Sequence, residues 1–176
     1  MRKVVFILGG ARSGKSTFAL QGASVIEGKK AFIATAEAFD DEMRLRIEKH
    51  KEERGTDWIT HEEPLSISML LQNIRDSYPV ILVDCLTLWV SNIMHAGLDF
   101  NDEAARLVDI ISQRHPALIY IVSNEVGMGL VPDTELGREY RDNIGFLNRK
   151  MAEAATDVYF MAAGIPMKIK GDTRIE

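Results

Sequence analysis

The sequence predicts a doubly wound α/β domain, a mostly parallel sheet with helices on both faces. Five runs, "VVFIL" (4–8), "AFIAT" (31–35), "VILVD" (80–84), "LIYIV" (118–122) and "VYFMA" (158–162), are largely continuous in their apolar, β-branched character rather than alternating. Short continuous apolar runs are the pattern of strands buried on both faces of a parallel sheet. Between them lie segments with helical spacing, and strands alternating with helices build this layered architecture. Ligands of such folds sit at the carboxyl ends of the strands, so the residues just after each run are the candidates for a site.

Taken in order, the first helix is expected over Lys15 to Glu27, with Gly28 as its stop. Another, Leu65 to Asp76, starts just after Pro64 and carries Leu65, Met69, Leu70 and Ile74 on one side. Asn101 is placed to cap the next, which runs to about Arg114 before Pro116. The longest is expected from about Thr134 to Ala155. A chain of 176 residues, 46% apolar, is long enough for one good core and only weakly compatible with two. No linker, repeat or low-complexity run argues otherwise, so one domain is expected over residues 1–170, with a short tail, 171–176.

The net charge is −5 and the basic residues are scattered, which leaves no electrostatic footprint for nucleic acid. A small phosphorylated ligand needs only a local positive site. The apolar run near the N-terminus is five residues long and ends in glycines, so it reads as a strand and not as a signal peptide. No stretch approaches the roughly 18 apolar residues that span a membrane, and a cytoplasmic protein is expected. Cys85 is the single cysteine, which excludes an internal disulfide and a cysteine-built zinc site. Four scattered histidines do not restore one.

After the first strand, "GGARSGKS" (9–16) fits the phosphate-loop pattern G-x-x-x-x-G-K-[ST], comprising Gly9, Gly10, Ala11, Arg12, Ser13, Gly14, Lys15 and Ser16. Glycines let the backbone wrap phosphates, successive N–H groups and a helix N-terminus supply partial positive charge, and Lys15 adds a full one. Ser16 is a candidate ligand for Mg²⁺, and Asp84, ending a buried strand, is a candidate to hold or orient the metal. Cys85 reads as a small buried apolar residue. The loop implies use of a nucleoside triphosphate but not the reaction. No Asn-Lys-x-Asp guanine-reading motif is present, and a simple kinase stays open.

The segment "IATAEAFDDEMRLRIEKHKEERGTDWITHEEP" (33–64) predicts a helix beginning near Asp40. Met43, Ile47, His50 and Arg54 then share one stripe facing the body of the protein, while Glu48, Lys49, Lys51 and Glu52 take other faces. By spacing alone, His50 is better read as a partly buried histidine with a hydrogen-bond partner than as a nucleophile.

Four stretches together carry a resemblance: "GGARSGKS", "IATAEAFDDEMRLRIEKHKEER", "VDCLTLWVSN" with "VSNEVGMGLVP", and "GREYRDNIGFLNRKMAEAATDVYFMAAGIPMKIK". They resemble the bifunctional adenosylcobinamide kinase/adenosylcobinamide-phosphate guanylyltransferase family of cobalamin biosynthesis, from the first strand to Lys170. Only "GDTRIE" lacks a counterpart. The resemblance implies a RecA-like P-loop NTPase fold, a homotrimer, and a histidine, here His50, that accepts GMP. It also implies nucleotide contacts by residues 9–16, by Ala34, Thr35 and Ala36, by Lys51, Glu52, Glu53 and Arg54, by Glu62 and by Asp84. The implied substrates are adenosylcobinamide and GTP or ATP. Phosphoryl transfer to the aminopropanol hydroxyl would rest on Lys15, Ser16, Mg²⁺ and Asp84. GMP transfer through imidazole suits a side chain that is mostly neutral near pH 7.

Asn124 and Glu125 follow the strand at 118–122 and lie on the ligand side, where Glu125 either meets substrate or metal or forms a turn. Gly127 and Gly129 are read as turn glycines. Arg138 and Arg141 are either phosphate ligands or surface partners. His61, His95 and His115 have no motif support and are read as structural or solvated. A P-loop kinase for another small alcohol and a non-catalytic nucleotide sensor are the alternative functions.

Overall fold

The computed structural model describes residues 3–37, 51 and 54–171. The expected helix beginning near Asp40, with Met43, Ile47 and His50, lies outside the described residues, as do Glu52 and Glu53. Along the chain come β1 (Lys3–Gly9), α1 (Lys15–Ser24), β2 (Lys30–Ala34), β3 (Trp58–Glu62), α2 (Ile67–Ile74), β4 (Val80–Asp84), α3 (Leu86–His95), α4 (Phe100–Ser112), β5 (Leu118–Asn124), α5 (Glu135–Ala154), β6 (Asp157–Ala162) and β7 (Ile165–Lys170). The strands form one sheet in the order β3-β2-β4-β5-β1-β6-β7. Every neighbouring pair is parallel except β6 with β7.

The five apolar runs became strands because both of their faces are covered. Val4, Phe6, Ala31, Ile33, Ile81, Val83, Ile119 and Ile121 join one core with residues of α2, α3, α4 and α5. Their alternate neighbours, Val5, Ile7, Phe32, Ala34, Val80, Leu82, Tyr120 and Val122, meet Ala19 and Ala23 of α1 on the other face. Trp89 of α3 is fully buried, and its indole N–H donates to the Leu65 carbonyl at 2.6 Å, which satisfies the polar edge of a large ring.

The sheet has two strands beyond the five expected. In β3, "WITHE" mixes polar and apolar residues because the strand pairs on one side only, with β2. In β7, "IPMKIK" is exposed along its whole length and closes a hairpin with β6. Helix α3 was also unanticipated. "LTLWVSNIMH" is buried around most of its circumference, so it shows no amphipathic stripe.

Helix ends and faces shift in detail. The α4 cap is Asp99, whose carboxylate accepts from the Asp102 N–H at 2.9 Å, so Asn101 is already helical. In α2 the buried positions are Ile67, Ser68 and Leu71, whereas Met69 is 61% exposed. That helix begins two residues later than expected, because Leu65 and Ser66 give their N–H groups to Glu63 Oε1 at 3.0 and 2.7 Å. Helix α5 matches the expected span to within a residue at each end, and Thr134 is its N-cap, accepting from Gly137 N–H at 3.1 Å.

Candidate functional site

The carboxyl ends of the parallel strands gather the candidate residues into one row. At its centre is the β1–α1 loop. Gly9 (φ 150°) and Gly14 (φ 90°) take backbone conformations that side-chain-bearing residues rarely adopt. A Cβ on Gly9 would also collide with the Met161 carbonyl on β6. The loop is tied on both flanks: Glu125 N–H donates to the Gly9 carbonyl at 3.0 Å, and Gly164 N–H to the Ser13 carbonyl at 3.2 Å. Ala11 and Arg12 are exposed on it, Ser13 is buried, and Ser16 is half-buried in the first turn of α1.

Lys15 is buried inside this loop, its ammonium donating to the Gly10 carbonyl at 2.6 Å. Burial lowers its pKa, while negative charge on Cys85 and on Asp84 pulls it back up. Asp84 therefore acts electrostatically on the loop lysine although its strand, β4, lies two strands from β1. The same carboxylate acts on Arg54, whose pKa burial lowers. Among the described residues no group of three or more His, Cys, Asp or Glu is arranged to hold a metal. Ser16 and Asp84 are hard oxygen donors of the kind that share a cation with phosphate oxygens and water.

The β2 and β3 ends supply the next residues. Thr35 is fully buried and exchanges two bonds with Cys85: its hydroxyl donates to the Cys85 carbonyl at 2.8 Å and accepts from the Cys85 N–H at 2.8 Å. Asn92 of α3 donates to the carbonyls of Thr35 and Pro64 at 2.8 and 3.2 Å. Ala34 is buried and Ala36 half-buried on either side. The Arg54 guanidinium lies 3.7 Å from the centroid of the Phe32 ring and donates to Thr60 Oγ1 at 3.2 Å. Lys51 and Glu62 form an exposed ion pair at 2.5 Å.

Burial raises the Cys85 thiol pKa, and its Sγ lies 3.0 Å from Thr87 Oγ1, which fits the apolar, unreactive reading. Thr87 also receives Asn124 Nδ2 at 2.9 Å and, at its carbonyl, the Tyr140 hydroxyl at 3.1 Å. Asn148 donates to the Asn124 carbonyl at 3.1 Å. Thr87, Asn92, Tyr140 and Asn148 lie inside the stretches that carry the resemblance, but were not singled out from the sequence, since the hydrogen bonds that tie them to the site reach partners more than 20 positions away.

Glu125 forms a turn, accepting from Gly127 N–H at 2.6 Å, and it also borders the phosphate loop. Neither Gly127 nor Gly129 has a positive φ, so conformational freedom does not explain them. Arg138 donates to the Pro132 and Asp133 carbonyls at 3.0 and 2.8 Å, and Arg141 pairs with Asp142. These contacts favour the surface reading of both arginines. His61 packs edge-on against Tyr78, His95 meets its own helix at Ser91, and His115 meets the Ala117 carbonyl. No described helix is long and apolar enough to cross a membrane.

Comparisons with known proteins bear on fold and family separately. The crystal structure of the RadB recombinase aligns with 99% of this chain and 83% of its own at a TM-score of 0.59 and 15% identity, a likeness of RecA-like P-loop fold alone. The bifunctional adenosylcobalamin biosynthesis protein CobP of Pseudomonas aeruginosa is 42% identical over 170 residues, covering 94% of this chain and 96% of that protein. The bifunctional adenosylcobalamin biosynthesis protein CobU of Escherichia coli is 37% identical over 183 residues, covering 95% and 99%. A family model described as cobinamide kinase / cobinamide phosphate guanyltransferase matches residues 5–169. With a phosphate loop, a lysine and an aspartate at the strand ends of that matched region, the chain belongs to the cobinamide kinase / cobinamide phosphate guanyltransferase family.

Proposed function

We propose that this chain carries out two successive transfers at one phosphate cradle. In the first, the aminopropanol hydroxyl of adenosylcobinamide attacks the γ-phosphorus of ATP or GTP, and the bond to the bridging oxygen of the nucleoside diphosphate breaks. In the second, a ring nitrogen of His50 attacks the α-phosphorus of GTP, forming an N–P bond as pyrophosphate leaves. A phosphate oxygen of adenosylcobinamide phosphate then displaces the imidazole and gives adenosylcobinamide-GDP.

The observation that carries this reading is the phosphate loop with Lys15 buried inside it, its ammonium donating to the Gly10 carbonyl at 2.6 Å, in a chain whose family match spans both this loop and Asp84 at the end of β4. Phosphoryl transfer is catalysed mostly by positioning and charge neutralisation. Lys15 brings a full positive charge to the phosphates, the loop N–H groups add partial ones, and Cys85 and Asp84 partly offset the lowering of the Lys15 pKa by burial. Mg²⁺ fits Ser16 and Asp84 as its protein ligands, because it takes one or two protein oxygens and completes its shell with phosphate and water. Bound there, it would neutralise charge on the phosphoryl oxygens. Arg54, Glu62 and Lys51 stand at the β2–β3 end of the row, beside the segment that carries His50 in the sequence. The resemblance in sequence supports a homotrimer, which sedimentation equilibrium would test.

Incubation with α-labelled GTP tests the second transfer. Acid-labile, alkali-stable label on the protein is expected, and it should vanish in His50→Ala. A wild-type protein that phosphorylates adenosylcobinamide yet never takes up label would remove the guanylyl half.

A further inference from the structure

Glu125 stands where β5 meets the phosphate loop. Asn124 pairs in register with Gly9, so Glu125 and Gly10 leave the sheet side by side, on strands about 4.8 Å apart. The Glu125 N–H is bonded to the Gly9 carbonyl at 3.0 Å. Just before it, Asn124 is held by its side chain at Thr87 and by its carbonyl at Asn148, at 2.9 and 3.1 Å. These bonds fix the backbone, while the half-buried side chain of Glu125 borders the cavity of about 410 Å³ that Gly10 to Ser13 also line. Among the described residues lining that cavity it is the single carboxylate.

One oxygen of this carboxylate is pinned and the other is not. Oε1 accepts from the Gly127 N–H at 2.6 Å, and Oε2 has no hydrogen-bond partner among the described residues. Gly127 has no positive φ, yet a Cβ there would stand only 3.0 Å from Glu125 Oε1, tighter than such contacts ordinarily run. The glycine therefore serves the carboxylate: it lets the N–H come close enough to orient it. A carboxylate held through one oxygen presents the lone pairs of the other at a set place, which is the geometry a proton acceptor needs.

The two transfers differ in their need for such a group. An alcohol oxygen carries a proton that must leave as its bond to phosphorus forms. A neutral imidazole nitrogen, and a phosphate oxygen ionised near pH 7, attack through lone pairs with no proton on the attacking atom. Asp84 is committed to the charges of Lys15 and Arg54 and fits Mg²⁺, and His61, His95 and His115 have other partners. Resting on the function proposed above, we infer that Glu125 is the general base of phosphoryl transfer and has no such part in GMP transfer. The acceptor O–H bond breaks, its proton passes to Glu125 Oε2, and the freed electron pair forms the oxygen–phosphorus bond. The bond from the γ-phosphorus to the bridging oxygen breaks, and the nucleoside diphosphate leaves with that pair. The carboxylic acid then gives the proton to solvent.

Glu125→Gln separates a base from a prop, because its amide oxygen still accepts from the Gly127 N–H but takes no proton. It should lower kcat for phosphorylation of adenosylcobinamide by about a hundredfold or more, with KM for adenosylcobinamide held within about threefold. GMP transfer to adenosylcobinamide phosphate should slow far less. Formate should restore part of the rate to Glu125→Ala, whose shortened side chain leaves room for a small carboxylate. Gly127→Ala should act in the same direction as Glu125→Gln, by about tenfold, since it displaces the carboxylate by a fraction of an ångström. A Glu125→Gln protein as fast as wild type, or one that loses both transfers equally, would reduce Glu125 to a turn residue. Hydrolysis of ATP without acceptor gives an independent arm, since attacking water also loses a proton. A wild-type protein that phosphorylates no cobinamide, but whose ATP hydrolysis falls in Glu125→Gln, would keep the base and reject the functional reading instead.

Discussion

Two strand-to-helix junctions border the site, and they are built by opposite means. The β1–α1 junction takes its path from local residues: glycines at 9 and 14 set it, and Lys15 bonds a carbonyl five residues back. Its distant ties, from Glu125 and Gly164, come from backbone N–H groups and not from side chains. The β4–α3 junction, Asp84 to Leu86, has no glycine and no side-chain helix cap. It is held by Thr35, 50 positions away in sequence, and Thr35 is held by Asn92, 57 positions away. A loop made of backbone can be written as a motif, whereas an aspartate held by a long-range network carries no local mark. The second junction should therefore answer to substitutions far from it, and the first should not.

The largest effect tests the local junction. Lys15→Ala should lower phosphoryl transfer by about a hundredfold or more, the scale for deleting a preorganised charge donor. Thermal unfolding should change little, because the ammonium is a costly buried charge in the free protein. A fall in activity matched by a collapse of the fold would mean that the loop depends on Lys15 for its shape.

Thr35→Val, next in size, breaks the network without touching the phosphate loop. It leaves the buried Cys85 N–H without its acceptor, at a cost of about 2–3 kcal/mol in denaturant unfolding. Activity should fall with it as Asp84 loses its support. Unchanged activity in a destabilised protein would uncouple the network from the site.

Asp84→Asn links the two junctions through pH. Lys15 must be protonated to bind phosphates, and its pKa lies below the ordinary 10.5 because burial lowers it more than Cys85 and Asp84 together raise it. Activity is full below that lowered pKa and is lost as pH rises through it. Removing the carboxylate takes away a raising influence, so the alkaline limb of the pH–rate profile should move to lower pH. A limb that stays in place would show that another group titrates there.

Tyr140→Phe should cost about 1 kcal/mol, one hydrogen bond to the Thr87 carbonyl. Burial pushes this phenol from 10 up to about 12. The stability it gives is complete below the unfolded value and is lost as pH rises through the interval up to the folded one. Wild type should therefore weaken between those values, and the variant should lack that part of the slope. The smallest effect is expected at Glu62→Gln, where losing an exposed pair with Lys51 should change stability by less than about 1 kcal/mol.

Much of the central sheet was legible because strands buried on both faces must be apolar throughout, and such runs are hard to mistake. The edges were not. Trp58–Glu62 and Ile165–Lys170 each pair on one side only, so their side chains meet solvent and follow no continuous pattern. Helix α3 escaped for the opposite reason, since a helix enclosed on most sides loses its polar stripe. At the site, Gly9 to Ser16 could be read directly, and Asp84 could be read once a cradle was in hand. The role proposed for His50 came from resemblance, because spacing places a side chain on a face without giving it a partner.

The sequence by itself determined the phosphate loop, the layering of strands and helices, and the family, each expressed in residues close together along the chain. Tertiary structure decided which strand ends stand side by side. It set Asp84 near enough to act on Lys15, closed Thr35 onto Cys85, and opened a cleft between Glu125 and the end of β6. The physical reason is distance: backbone propensity and hydrophobic period act over a few residues, but the charges and hydrogen bonds of the site are shared between segments that only the folded sheet brings together.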